Sequence, residues 1–224
     1  MAKYMKKYYD KNKKGNLTSE KRSILYKKGF TLIEILMVVA ILGLIMVAVF
    51  SFQVNIFRYN KYSDDSLQSA EDARAILKTM VKELRSTKQG SNGAYPIVQS
   101  ATSSIIFYSD IDTDGLQEQV RYYLSTTTLK KGVIKPTGSP LSYVSSQEAF
   151  STLAYNIKNS TSTSLFEYYD NTYTGTSSSL LQPVNVSNVR LVKINLLIDA
   201  DPNRSPIPRL YTSGVILRNL KDNL

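Results

Sequence analysis

The chain contains no cysteine, no histidine and no tryptophan. Without cysteine there are no disulfide staples, no thiolate metal sites and no sulfur nucleophile. Without histidine the commonest general base and metal ligand is gone as well. The lack of cysteine does not locate the protein, because a domain with a sufficient core needs no disulfides when exported. Proline is missing from the whole of residues 30–95, and no P-loop, dinucleotide fingerprint or nucleophile-elbow motif occurs anywhere.

What is present is charge, unevenly placed. The formal net charge is +10. Residues 1–29 hold ten Lys/Arg against two Asp/Glu, whereas residues 30–224 hold eighteen against sixteen. The basicity therefore belongs to a short lysine-rich leader and not to a folded domain. Nucleic-acid binding asks for a basic face on the fold, so none is predicted. The twelve tyrosines after residue 29 fit strands better than a base-stacking platform for the same reason.

An apolar block starts abruptly at Phe30 and runs to Phe52, and residues 35–50 carry no polar side chain. As a helix, its twenty-three positions reach about 34 Å, enough to cross a hydrocarbon core of roughly 30 Å. The basic flank before it predicts a cytoplasmic N-terminus and a C-terminal part on the far side of the membrane. The run is too long for an ordinary cleaved secretory signal, and no small-x-small site follows it. Apolar or small residues then recur at helical spacing from Ile56 through Tyr59, Ser63, Leu67, Ala70, Ala73, Leu77, Met80, Val81 and Leu84. This spacing predicts that the helix continues, amphipathic, to about Lys88, with Gly90 to Gly93 as the stop.

Lys27-Lys28-Gly29-Phe30-Thr31-Leu32-Ile33-Glu34 stands directly before the apolar span. A carboxylate inside a membrane segment costs ~2.5–3.5 kcal/mol at a helix centre, so Glu34 asks for a partner or a purpose. The motif resembles the class III signal of the type IV pilin-like family, which includes type II secretion pseudopilins. The resemblance implies cleavage after Gly29 by a prepilin peptidase and methylation of a new N-terminal Phe30. It also implies that Glu34 meets the terminal amine of a neighbouring subunit during assembly. The partners implied are other pilins or pseudopilins in a helical filament, an inner-membrane assembly platform and membrane lipid. The order of elements and the tail SGVILRNLKDNL resemble minor pseudopilins of the J type. Two features depart from the family pattern: the leader is long, and the proline often found about twenty residues into the mature helix is missing.

From Tyr95 the pattern turns to β. Strands are predicted at 104–109, 119–124, 128–134, 164–169, 189–198 and 210–220, with loops at 171–179 and 202–208. Ser145 and Glu148 form a capping-box pattern before Phe150, Leu153, Ala154 and Ile157, which predicts a short helix. Asn159-Ser160-Thr161 and Asn185-Val186-Ser187 match the short glycosylation pattern. Asp110-Ile111-Asp112-Thr113-Asp114-Gly115 has the spacing that converges alternate carboxylates on one calcium ion, with the Leu116 carbonyl and Glu118 as further oxygens. The twelfth position is Arg121, where an EF-hand has its bidentate glutamate. A solvated hairpin turn through Asp-Gly is the alternative.

The expected fold class is α+β, type IV pilin-like: a long N-terminal helix, transmembrane then amphipathic, packed on a C-terminal antiparallel sheet. The expected divisions are a leader at 1–29, a transmembrane helix at 30–52, its amphipathic extension at 53–90 and an exported β-rich domain at 91–224. The expected role is that of a structural subunit with a single pass through the inner membrane, not an enzyme. It requires no cofactor, with Ca2+ a candidate ligand. The alternatives are a surface minor pilin that binds DNA, a substrate protein or another surface, and an enzyme on a pilin-like anchor.

Overall fold

The structure, a computed structural model, describes residues 29–200 and 208–220. The leader through residue 28 and the proline-rich loop through residue 207 lie outside the described residues. The chain divides into two compact units, Met1–Val54 and Asn55–Leu224. One continuous helix, α1 (Leu32–Arg85), begins in the first and ends in the second. No proline interrupts it, as its sequence requires.

In the first unit every described residue is exposed, including the whole apolar run. The most apolar 18-residue window of α1 has a mean hydropathy of 3.0 and buries nothing, so the helix is long and apolar enough to cross a membrane. Large apolar side chains left bare along a helix belong in lipid or against partners, not in water.

The second unit is built on the last turns of α1. Among the described residues eight strands follow: β1 (Ile97–Ser100), β2 (Ser104–Ser109), β3 (Glu118–Ser125), β4 (Thr128–Ile134), β5 (Ala149–Ala154), β6 (Phe166–Tyr169), β7 (Leu191–Ile198) and β8 (Arg209–Ile216). All pairings are antiparallel, and they form two sheets, β1-β2-β3-β4-β5 and β6-β7-β8. Period-two alternation turns Ile105 and Phe107, Val120 and Tyr122, and Val192, Ile194 and Leu196 inward. These close on Ala73, Leu77, Met80 and Leu84 of α1 in one core. The Tyr168 hydroxyl bonds the two sheets, donating to the Ala101 and Ser104 carbonyls at 2.8 and 3.1 Å. Burial holds its phenol well above the usual tyrosine range.

A polar triad sits where α1 meets the larger sheet. Glu83 is buried on the helix, one residue before Leu84. Its carboxylate accepts from the Tyr122 hydroxyl and the Lys131 ammonium, each at 2.6 Å. Tyr122 and Lys131 are directly opposite in the β3–β4 register, so one cross-strand pair presents both donors. Burial first, and then the Glu83 charge beside it, push the Tyr122 phenol far above its ordinary value, which keeps it a neutral donor.

Several expectations are corrected. The helix ends at Arg85, short of Lys88, because the backbone there is captured by β2: the Lys88 N–H donates to the Tyr108 carbonyl at 3.0 Å. The buried face of α1 begins at Ser66, while Ile56, Tyr59 and Leu67 of the predicted stripe are exposed. The predicted helix after Ser145 is a single 3-10 turn, Ser145–Gln147, followed by strand β5. The Glu148 carboxylate that would complete a capping box is instead held by Arg121, at 2.8 and 2.7 Å. Gly132 lets it reach there, since a Cβ at that position would stand 1.8 Å from Glu148 Oε1. The free edge of β4 then takes the following residues as a strand. Asn159, whose sequon is short enough to arise by chance, is held by the fold: its amide donates to the Thr163 and Asn195 carbonyls and its oxygen accepts from the Leu197 N–H.

Removing one member of the triad leaves partners without their bonds. Glu83→Ala is expected to destabilise the domain by about 3–5 kcal/mol, and Tyr122→Phe by about 1.5–3 kcal/mol. The combined change Glu83→Leu, Lys131→Met, Tyr122→Phe should recover most of that loss. Denaturant unfolding of the full chain in detergent, followed by tyrosine fluorescence, measures all three. A loss under about 1 kcal/mol for Glu83→Ala would rule out an organising role.

Candidate functional site

Two places in the chain carry the predicted site residues. The first is the start of α1. Gly29 and Phe30 precede the helix outside any regular element, Thr31 occupies the N-cap position, and Glu34 lies in the first turn. Thr31 Oγ1 accepts the Glu34 N–H at 3.3 Å. The Glu34 carboxylate turns back toward the Thr31 N–H at 3.5 Å, a long contact. Together these make a capping box, in which the threonine and the glutamate each satisfy a backbone donor that the helix leaves open. The T-x-x-E spacing was readable in the sequence, yet Thr31 was not among the predicted site residues. The carboxylate of Glu34 thus faces the N-terminal end of the helix, where Phe30 lies one turn away.

The second place is the loop between β2 and β3, in the other unit. Alternation puts Glu118 on the same inward side of β3 as Val120 and Tyr122, and it is fully buried. Carboxylate oxygens of Asp110, Asp112 and Glu118 lie within 4.8 Å of one another. Asp110 also accepts the N–H groups of Thr113 and Gly115, at 2.6 and 3.1 Å. Gly115, with φ of 90°, provides the left-handed turn that the loop needs. Asp114 is not brought into the cluster; it accepts the Leu116 N–H at 2.8 Å. Arg121, at the twelfth loop position, points away into its pairing with Glu148.

Two charges tune this loop. The Lys135 ammonium pairs with Asp112, and that donation holds the Asp112 carboxyl below its usual range. Burial pushes the Glu118 carboxyl up, against the pull of the Ile111 N–H that it accepts at 3.0 Å. Lys135 was not anticipated from the sequence, because it lies on the chain after β4, far from the Asp-rich spacing.

Residues 25–50 match the family model of the prokaryotic N-terminal methylation motif. No curated protein matches the chain. The motif opens a helix long enough to cross a membrane, and the last turns of that helix carry antiparallel sheets. This combination resembles the make-up of a type IV pilin-like protein.

The capping box gives Thr31 a measurable role. Thr31→Ala should weaken the helix start by about 0.5–2 kcal/mol, and speed hydrogen exchange at the Glu34 amide in detergent. Thr31→Ser should leave the rate close to that of the parent chain. Equal rates in all three proteins would show that the hydroxyl does not cap.

Proposed function

We propose that the chain is a structural subunit, a minor pilin or pseudopilin, of a type II secretion or type IV pilus-like machine. A prepilin peptidase cuts after Gly29, Phe30 becomes the methylated N-terminus, and the mature subunit enters a filament through α1. The observation that carries this reading is the methylation-motif match over residues 25–50, running directly into the bare apolar helix. An apolar helix face without partners of its own suits a bundle of like helices. Element order and tail favour the J-type minor pseudopilins within that class. The topology proposed is a single pass through the inner membrane, with the N-terminus cytoplasmic and the β-rich domain on the outer side.

The capping box refines the role of Glu34. In the uncut chain its carboxylate is turned toward a backbone N–H at the head of the helix. Cleavage after Gly29 would put a positive amine at Phe30, on the same end of the helix. Glu34 would then exchange a weak local contact for a charge-assisted one with the amine of a neighbouring subunit, which offsets its cost in lipid and sets the stagger between subunits. The role is assembly, not catalysis, and it requires no cofactor.

Intact mass and N-terminal sequencing of the protein from its host membranes test the reading. The expected species begins at N-methylated Phe30; one beginning at Met1, or cut after residue 52, would remove it. Glu34→Val should still be cut, yet be depleted from sheared filaments. Recovery of that variant in filaments at the parent level would dismiss the register role.

A further inference from the structure

The β2–β3 loop has a feature that a solvated turn does not explain. One oxygen of Glu118, Oε2, accepts the Ile111 N–H; the other, Oε1, is enclosed and accepts no hydrogen bond among the described residues. A buried carboxylate oxygen with no donor is costly, and folds rarely leave one so. Glu118 is fully buried, and its carboxylate is aimed at those of Asp110 and Asp112. Three carboxylates brought together in this way repel one another, and the Lys135 ammonium pairs directly only with Asp112, from the exposed side, reaching Glu118 through space.

We propose that Asp110, Asp112 and Glu118 bind one calcium ion. The donors are all hard oxygens, in a chain that offers neither thiolate nor imidazole, so zinc and copper are poorly served. Calcium accepts oxygen ligands in flexible geometry, which suits carboxylates drawn from a loop and a strand within 4.8 Å of one another, whereas magnesium demands near-ideal octahedral contacts at about 2.1 Å. The ion supplies Glu118 with the missing partner and cancels the repulsion among the three groups. Lys135 is the resident competitor. Its side chain is mostly exposed on a flexible stem, so it can leave Asp112 at little cost when a divalent cation arrives. Asp114 stays with its own turn and contributes no ligand. The site lies in the β-rich unit and does not depend on how the N-terminus is processed.

Calorimetric titration of calcium chloride into the chelator-treated full chain in detergent tests this. One ion per chain is expected, with a dissociation constant on the order of 10⁻⁴–10⁻³ M, as for extracellular modules. Magnesium should bind at least tenfold more weakly. Glu118→Gln should lower calcium affinity at least tenfold, and Lys135→Met, a change at an exposed position, should raise it several-fold. The proposal is overturned if the parent chain shows no stoichiometric calcium binding. It is equally overturned if calcium affinity is the same in Lys135→Met as in the parent chain, a result that stands even if Glu118→Gln fails to fold.

Discussion

A single buried carboxylate decides how the sheet sits on the helix. The apolar side chains Ala73, Leu77, Met80 and Leu84 would pack acceptably against a sheet in several rotations and offsets, because hydrophobic contact is not directional. Glu83 allows far fewer. Its two oxygens must meet Tyr122 on β3 and Lys131 on β4 at once, and those two side chains stand together only at one rung of the ladder. Any slip would bury a charge without its partners, at a cost that rivals the stability of a small domain. The remaining contacts at the helix end follow from that placement. Ser109 donates to the Glu83 carbonyl at 3.0 Å, and the Asn219 amide reaches the Thr87 carbonyl at 2.7 Å, tying the turn Arg218–Leu220 to the end of the helix.

Much of this architecture was readable from local pattern. The apolar block, the absence of proline and the K-G-F-T-L-I-E run point to the helix and to its class, because each acts through neighbouring residues alone. Strands β2 and β4 fall where alternation puts them, with the same bounds. What was illegible depends on distant partners. Glu148 looked like a helix cap and is instead claimed by Arg121, so residues that would have continued a helix became β5. Glu83 does not stand out in the helix pattern at all, since nothing nearby announces Tyr122 and Lys131. The division of the strands into two sheets, and the short β1, likewise depend on tertiary pairing.

The sites divide in the same way. Phe30 and Glu34 stand out by their spacing along one helix turn within the matched motif, and Thr31 needed only the capping rule applied to the same residues. In the β2–β3 loop the spacing points to Asp110 and Asp112, whose carboxylates do lie close to one another in the fold. It grouped Asp114 with them, but that side chain is used by its own turn. It gave Glu118 a peripheral role, whereas inward alternation along β3 buries it beside the aspartates. Lys135 could not have been found without the pairing of β3 with β4.

The late start of the buried face on α1 has a practical consequence. Every buried residue of the helix lies from Ser66 to Leu84, while Ile56, Phe57 and Tyr59 are exposed apolar side chains just upstream. A chain shortened to begin near Asn60 would therefore keep every core contact of the second unit and shed both the lipid-seeking run and these three sticky residues. Its behaviour in plain aqueous buffer would be governed by the nearly balanced charge of what remains, and it would open the domain to study without detergent.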